Sequence, residues 1–147
     1  MEKKLDISVI SPVFNELENL ETFVESVTAV MNSTNMSWEL IIVDDGSNDG
    51  SSKILKKIGH QENIRSILLS KNYGQTTAIQ AGFDNAVGEY FVTLDSDLQN
   101  DPKDIPTLIQ KLINEELDLV VGWRKDRKDN YFFRNLPSIL ANKIIGT

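Results

Sequence analysis

The run Leu40-Ile41-Ile42-Val43 constrains this chain more than any other. A strand with one face in water alternates apolar and polar side chains. An unbroken apolar run of strand length, closed by the turn residues Asp44-Asp45-Gly46, reads instead as a strand covered on both faces. Helices on either side of a sheet provide that cover, and the flanking sequence holds them. Leu20, Phe23, Val24, Val27, Val30 and Met31 recur at helical spacing, with Asn15 placed to cap the helix and Glu18 as the reciprocal partner of a capping box. A short strand, Ile7-Ser8-Val9-Ile10, precedes that helix and stops at Pro12. Beyond Val43 the pattern predicts a short helix over 51–58, a strand over 64–69, a helix over 76–86, a strand over 90–94, a helix over 104–114 and a fifth strand over 117–121. Strands alternating with helices imply an α/β fold with a mostly parallel central sheet flanked by helices.

With 147 residues the chain can bury one sizeable core. It has no cysteine, so disulfides and thiolate metal sites are excluded. The single histidine, His60, lies in a polar stretch and reads as a solvated loop residue. A net charge of −7 argues against a nucleic-acid binder. That charge is uneven: residues 123–147 carry six basic side chains against two acidic ones, +4, which leaves −11 on the rest. We therefore divide the chain into a core over 1–122 and a basic tail over 123–147. Phe132, Phe133, Leu136, Ile139, Leu140, Ile144 and Ile145 make the tail amphipathic, interrupted near Pro137. Its apolar face runs to the last residues, as expected of the truncated start of a further region. A basic tail on an acidic body suits an anionic substrate or membrane surface, or is simply solvated. No leader is visible, and no apolar run approaches the roughly 18 residues that span a bilayer. The chain reads as soluble or peripheral.

In open parallel sheets, ligands bind beyond the C-terminal ends of the strands. Three strands end in polar loops there: 11–16, 44–50 and 95–101. Each has an ordinary reading alone. Asp44-Asp45-Gly46-Ser47 is common turn chemistry, 11–16 a strand stop and helix cap, and Asp95-Ser96-Asp97 a pattern that occurs by chance. Together at neighbouring strand ends they imply one pocket. In extended chain, positions two apart point the same way, so Asp95, Asp97 and Gln99 would present three hard oxygen ligands to one Mg²⁺ or Mn²⁺. Carboxylates repel phosphate, so their clustering implies either a cation between them and a diphosphate, or hydrogen bonds to sugar hydroxyls and a base.

The passages Pro12-Val13-Phe14-Asn15-Glu16-Leu17-Glu18-Asn19-Leu20, Val43-Asp44-Asp45-Gly46-Ser47-Asn48-Asp49-Gly50 and Leu94-Asp95-Ser96-Asp97-Leu98-Gln99-Asn100-Asp101-Pro102 resemble the family 2 inverting glycosyltransferases. Ser70-Lys71-Asn72-Tyr73-Gly74-Gln75 makes the chain most similar to the polyprenyl- or dolichyl-phosphate sugar transferases. The resemblance implies the GT-A fold, a Rossmann-like arrangement for nucleotide-diphospho-sugars. It also implies a UDP- or GDP-linked sugar donor, Mg²⁺ or Mn²⁺, a lipid phosphate acceptor and a place at the cytoplasmic face of a membrane. By position, Pro12, Phe14, Glu16, Val43, Asp45 and Ser96 would line the nucleotide-sugar site. Asp95, Asp97 and Gln99 would hold the metal, and Arg124, with Arg134, would approach the diphosphate or acceptor phosphate. Asp95, Asp97 and Arg124 are the expected catalytic group. Phe14 stands where relatives often have tyrosine, so one hydroxyl contact is missing.

Three other readings compete. A saccharide hydroxyl acceptor would need a carboxylate base. A dinucleotide-binding oxidoreductase would need a glycine-rich turn where Ser11-Pro12-Val13-Phe14 stands. A Mg²⁺-binding receiver-like signalling module would carry its acidic pair after the first strand rather than the second.

Overall fold

A computed structural model describes residues 5–122. Its sheet holds four parallel strands: β1 (Leu5–Val13), β2 (Trp38–Asp44), β3 (Ile64–Leu68) and β4 (Gly88–Thr93), in the order β3-β2-β1-β4. Four helices alternate with them: α1 (Leu17–Asn32), α2 (Ser51–Ile58), α3 (Gln75–Asn85) and α4 (Asp104–Asn114). The chain winds outward from β1 through β2 to β3, and α3 then carries it back across to β4 on the other side of β1. Strand order reverses beside β1, and crevices for ligands open at such reversals.

Every residue of β2 is buried, as its apolar run requires. The pleat divides its side chains between two layers. Leu40 and Ile42, with Ile7, Val9 and Val13 of β1, pack against Leu20, Phe23, Val24, Val27 and Met31 of α1, Leu55 of α2 and Ile105 and Ile109 of α4. Ile41 and Val43 pack on the opposite face against Ala78 of α3. Helix α3 lies close to the sheet: a Cβ on Gly82 would sit 2.3 Å from Ile10 Cγ2. Each fully buried Leu, Ile or Val contributes about 1.5–3 kcal/mol, so both layers are needed to hold β2.

At the N-terminal end of the sheet a buried carboxylate ties three elements together. Glu39 accepts hydrogen bonds from the Ser8 hydroxyl at 2.6 Å and the Val87 N–H at 2.8 Å, and pairs with Arg65 Nη2 at 2.9 Å. With its oxygens so occupied, the buried charge is compensated.

Several expectations need correction. Strand β1 does not stop before Pro12 but runs on to Val13. The missing N–H of Pro12 costs nothing because pairing with β4 has already ended, its last bond running from Leu94 N to the Ile10 carbonyl. The capping box at Asn15 and Glu18 does not form. Asn15 takes a left-handed φ of 57°, Glu16 occupies the cap position, and the Leu17 N–H is satisfied by Asp49 from another loop. Residues 117–121 do not make a fifth strand; Leu119 and Val121 are 76% and 74% exposed. Apolar composition favours a strand, but pairing makes one, and among the described residues nothing pairs with this segment. The tail lies outside the described residues.

Candidate active site

The loops after all four strands meet at the C-terminal edge of the sheet around a cleft of about 350 Å³. Pro12, Val13, Phe14 and Glu16 come from the end of β1, and Asp45 from the end of β2. Asn72, Gly74 and Gln75 come from the connection between β3 and α3, and Asp95, Ser96 and Asp97 from the end of β4.

The first two loops are sewn together. Asn15 N–H donates to Ser47 Oγ and Asn48 N–H to Asn15 Oδ1, both at 2.9 Å. Asp44 accepts from the Ser47 N–H and the Ser52 hydroxyl, folding the turn onto itself. Asp49 accepts from the Ser51 N–H and hydroxyl and, through its other oxygen, from the Leu17 N–H at 2.9 Å. Desolvation by burial pushes the Asp49 carboxyl up, but these bonds outweigh it and hold the group below its ordinary value.

Asp45 is 3% exposed, and its two oxygens accept from consecutive backbone groups, Tyr73 N–H at 2.7 Å and Gly74 N–H at 2.9 Å. It thereby clamps the β3–α3 connection against the β2 loop. Gly46 allows the approach: its φ is +74°, and a Cβ there would lie 2.4 Å from the Lys71 carbonyl carbon. No wider residue fits that position.

The fourth loop departs from the extended form expected of it. It bends, and Leu98 adopts a left-handed φ of 59°. Asp97 Oδ1 accepts the Gln99 N–H at 3.0 Å, and Asp95 Oδ1 accepts the Gln75 side-chain amide at 2.9 Å. Ser96 is buried and turns its hydroxyl toward the Pro12 carbonyl, 3.4 Å away.

Pro12, Phe14, Glu16, Asp45, Asp95, Ser96 and Asp97 therefore share one cleft, as expected from sequence. Two residues do not join them. The Val43 side chain is fully buried against α3, and Gln99 lies past the bend, where the strand alternation that would align it with Asp95 and Asp97 has ended. Arg124 and Arg134 lie outside the described residues. Asn72, Gly74 and Gln75 were not expected to line the cleft. The signal was available: their loop follows β3, so the strand-end rule that picked out the other three applies equally to it.

The described lining holds four carboxylates, Glu16, Asp45, Asp95 and Asp97, and no Lys or Arg. An anionic ligand would need positive charge between itself and this wall. Among the described residues no group of three or more His, Cys, Asp or Glu side chains is placed to hold a metal alone. The donor set nevertheless fits a hard divalent cation. Mg²⁺ and Mn²⁺ take one or two protein carboxylates and complete their shells with phosphate and water, and Asp95 and Asp97 would supply two.

A family model described as "Glycosyl transferase family 2" matches residues 8–146. The chain is 48% identical to the dodecaprenyl-phosphate galacturonate synthase of Rhizobium johnstonii over 98% of its own length and 43% of that protein. It is 42% identical to the undecaprenyl-phosphate 4-deoxy-4-formamido-L-arabinose transferase of Pectobacterium atrosepticum over 95% of its length and 43% of that protein. It thus spans about two fifths of these curated relatives. Among solved structures, a mannosyltransferase of Pyrobaculum calidifontis in complex with GDP-Man and Mn²⁺ superposes with a TM-score of 0.62 at 19% identity, over 76% of this chain and 33% of that one. Staphylococcus aureus TarS (residues 1–349) in complex with UDP superposes at 0.59 and 20% identity, over 88% and 40%. At such identities these neighbours show the shared GT-A fold.

Proposed function

The chain belongs to glycosyl transferase family 2, and from that premise we propose that it is the donor-binding part of an inverting transferase moving a sugar from a nucleoside diphosphate to a polyprenyl phosphate. The observation that carries this reading is the meeting of Asp45, from the end of β2, with Asp95 and Asp97, from the end of β4, in one cleft whose described lining holds no lysine or arginine. Such a wall suits a ligand that arrives with a divalent cation and offers hydroxyls for hydrogen bonding.

Each wall has its task. Pro12, Phe14 and Asp45 form the side for base and ribose, where Phe14 offers a half-exposed ring and no hydroxyl. Asp95 and Asp97 would hold Mg²⁺ or Mn²⁺, which supplies positive charge to the departing diphosphate. By position in the sequence, Arg124 and Arg134 would add charge-assisted hydrogen bonds to the diphosphate or acceptor phosphate. Direct in-line attack at the anomeric carbon inverts its configuration. A phosphate acceptor is already anionic at neutral pH, so little general-base help is required.

The relatives are named for dodecaprenyl and undecaprenyl phosphate, which supports a polyprenyl phosphate acceptor over a saccharide hydroxyl. A lipid acceptor calls for a membrane surface, and we place the protein at its cytoplasmic face. No helix of the described residues is long and apolar enough to cross a membrane.

Titration of UDP and GDP with Mn²⁺ tests the donor site. One nucleotide should bind the wild type, and Asp97→Ala should weaken it about tenfold or more, that is by at least about 1.4 kcal/mol. Failure of both nucleotides to bind, or a mutant as tight as wild type, overturns the assignment.

A further inference from the structure

We propose that Gln75 is a positioning residue for Asp95, itself held in place by Asp45, an inference that rests on the donor-site reading above. Gln75 is the first residue of α3, and its side-chain amide reaches from that helix to the end of β4, donating to Asp95 Oδ1 at 2.9 Å. The orientation of the amide is set by chemistry, since its oxygen turned toward a carboxylate would be repelled and only the NH₂ donates. With Oδ1 so occupied, Asp95 has Oδ2 left for a cation. Partners of this kind orient metal ligands and tune their affinity. A neutral donor suits the position. Lysine or arginine there would neutralise Asp95 and compete with the cation for it, whereas the amide fixes the carboxylate and leaves its charge.

Gln75 can do this only if the start of α3 is fixed. The two oxygens of Asp45 hold the N–H groups of Tyr73 and Gly74, the residues just before Gln75. The Gly46 backbone lies against Lys71 and Asn72. The connection is thus gripped on the side of the β2 loop and presents Gln75 to β4. A path of hydrogen bonds joined by backbone runs from the base side of the cleft to its metal side: Asp45, the backbone of 73–75, the Gln75 amide, Asp95. Gln75 is exposed, so its place in this path is not explained by core packing.

Substitution of Gln75 by methionine keeps length and removes the donor. In the full chain, UDP and GDP are titrated with saturating Mn²⁺ and again with chelator, beside thermal melts. Gln75→Met should bind the nucleotide about tenfold more weakly with Mn²⁺, match wild type without metal, and keep the wild-type melting temperature. In an Asp95→Asn background the same substitution should add nothing, because both changes act on one interaction. An unchanged Mn²⁺-dependent affinity, an equal loss with and without metal, or additive effects with Asp95→Asn would overturn the role of Gln75 while leaving the donor site standing. A wild type that binds neither nucleotide overturns the donor site and this role together.

Discussion

The loop after β2 and the loop after β4 enter the same cleft but are held in opposite ways. In the first, Asp44, Asp45 and Asp49 direct their oxygens to groups of the protein itself: turn N–H groups, serine hydroxyls, the start of α1 and the approach to α3. In the second, Asp95 and Asp97 each engage the protein through Oδ1, and Leu98 sits exposed with a left-handed φ. Runs of aspartate at strand ends can therefore serve two ends. One wall of the cleft is built by folding. The other leaves Asp95 Oδ2 and Asp97 Oδ2 without a hydrogen bond among the described residues.

The contrast breaks or holds on substitutions in the two loops. The largest effect is expected at Gly46. A valine there meets the Lys71 backbone and a left-handed φ at once, so Gly46→Val should cost on the order of 3 kcal/mol in urea unfolding. A loss below about 1 kcal/mol would mean that the β2 loop is less tightly set than its bonds imply.

Asp49→Ala comes next, removing the cap of α1 and the ties to Ser51, with an expected cost of about 1–2 kcal/mol at pH 7. The Asp49 pKa in the folded protein lies below its ordinary value of 3.8. Its contribution is therefore complete above that value and fades as pH falls through the lowered one. The stability gap between wild type and Asp49→Ala should stay constant from pH 7 to about 5 and close under stronger acid. A gap that persists unchanged through acid titration of the carboxyl would show that the charge is not what holds α1.

The smallest effect is expected at Leu98. Leu98→Gly relieves a left-handed conformation worth about 1–2 kcal/mol but adds unfolded-state freedom of about 0.5–1 kcal/mol and loses a partly exposed side chain. The net change should stay within about 1 kcal/mol of zero. A larger loss in thermal unfolding would show the β4 loop to be anchored by Leu98, and the two walls would then be alike.

Much of this was legible beforehand, for reasons that differ by residue. The buried run of β2 and the spacing of Leu20, Phe23, Val24, Val27 and Met31 declare themselves because burial acts on side chains one at a time. The helix over Asp104–Asn114 is where its pattern puts it. The cap of α1 was not legible: Asn15 is well suited to that position, yet Asp49, 32 residues from Leu17, does the work. Nor was the expected strand over 117–121 decidable, since it depends on a pairing partner and not on its own residues. Gln75 reads as a loop residue at the end of a family motif, with no task of its own, until β4 is set beside it.

The alternation of strands and helices, the strand covered on both faces and the polar loops after three strand ends can all be read from the chain alone, because hydrophobic periodicity and turn chemistry are local. It also identified the family, whose motifs are contiguous in the chain. Which carboxylate oxygens bond to the protein itself, and which face the cleft without such a bond, follows from the tertiary arrangement alone. That depends on the donors brought near them, and those of Asp45 and Asp95, with the Leu17 N–H on Asp49, come from segments 20 to 32 residues away in the chain.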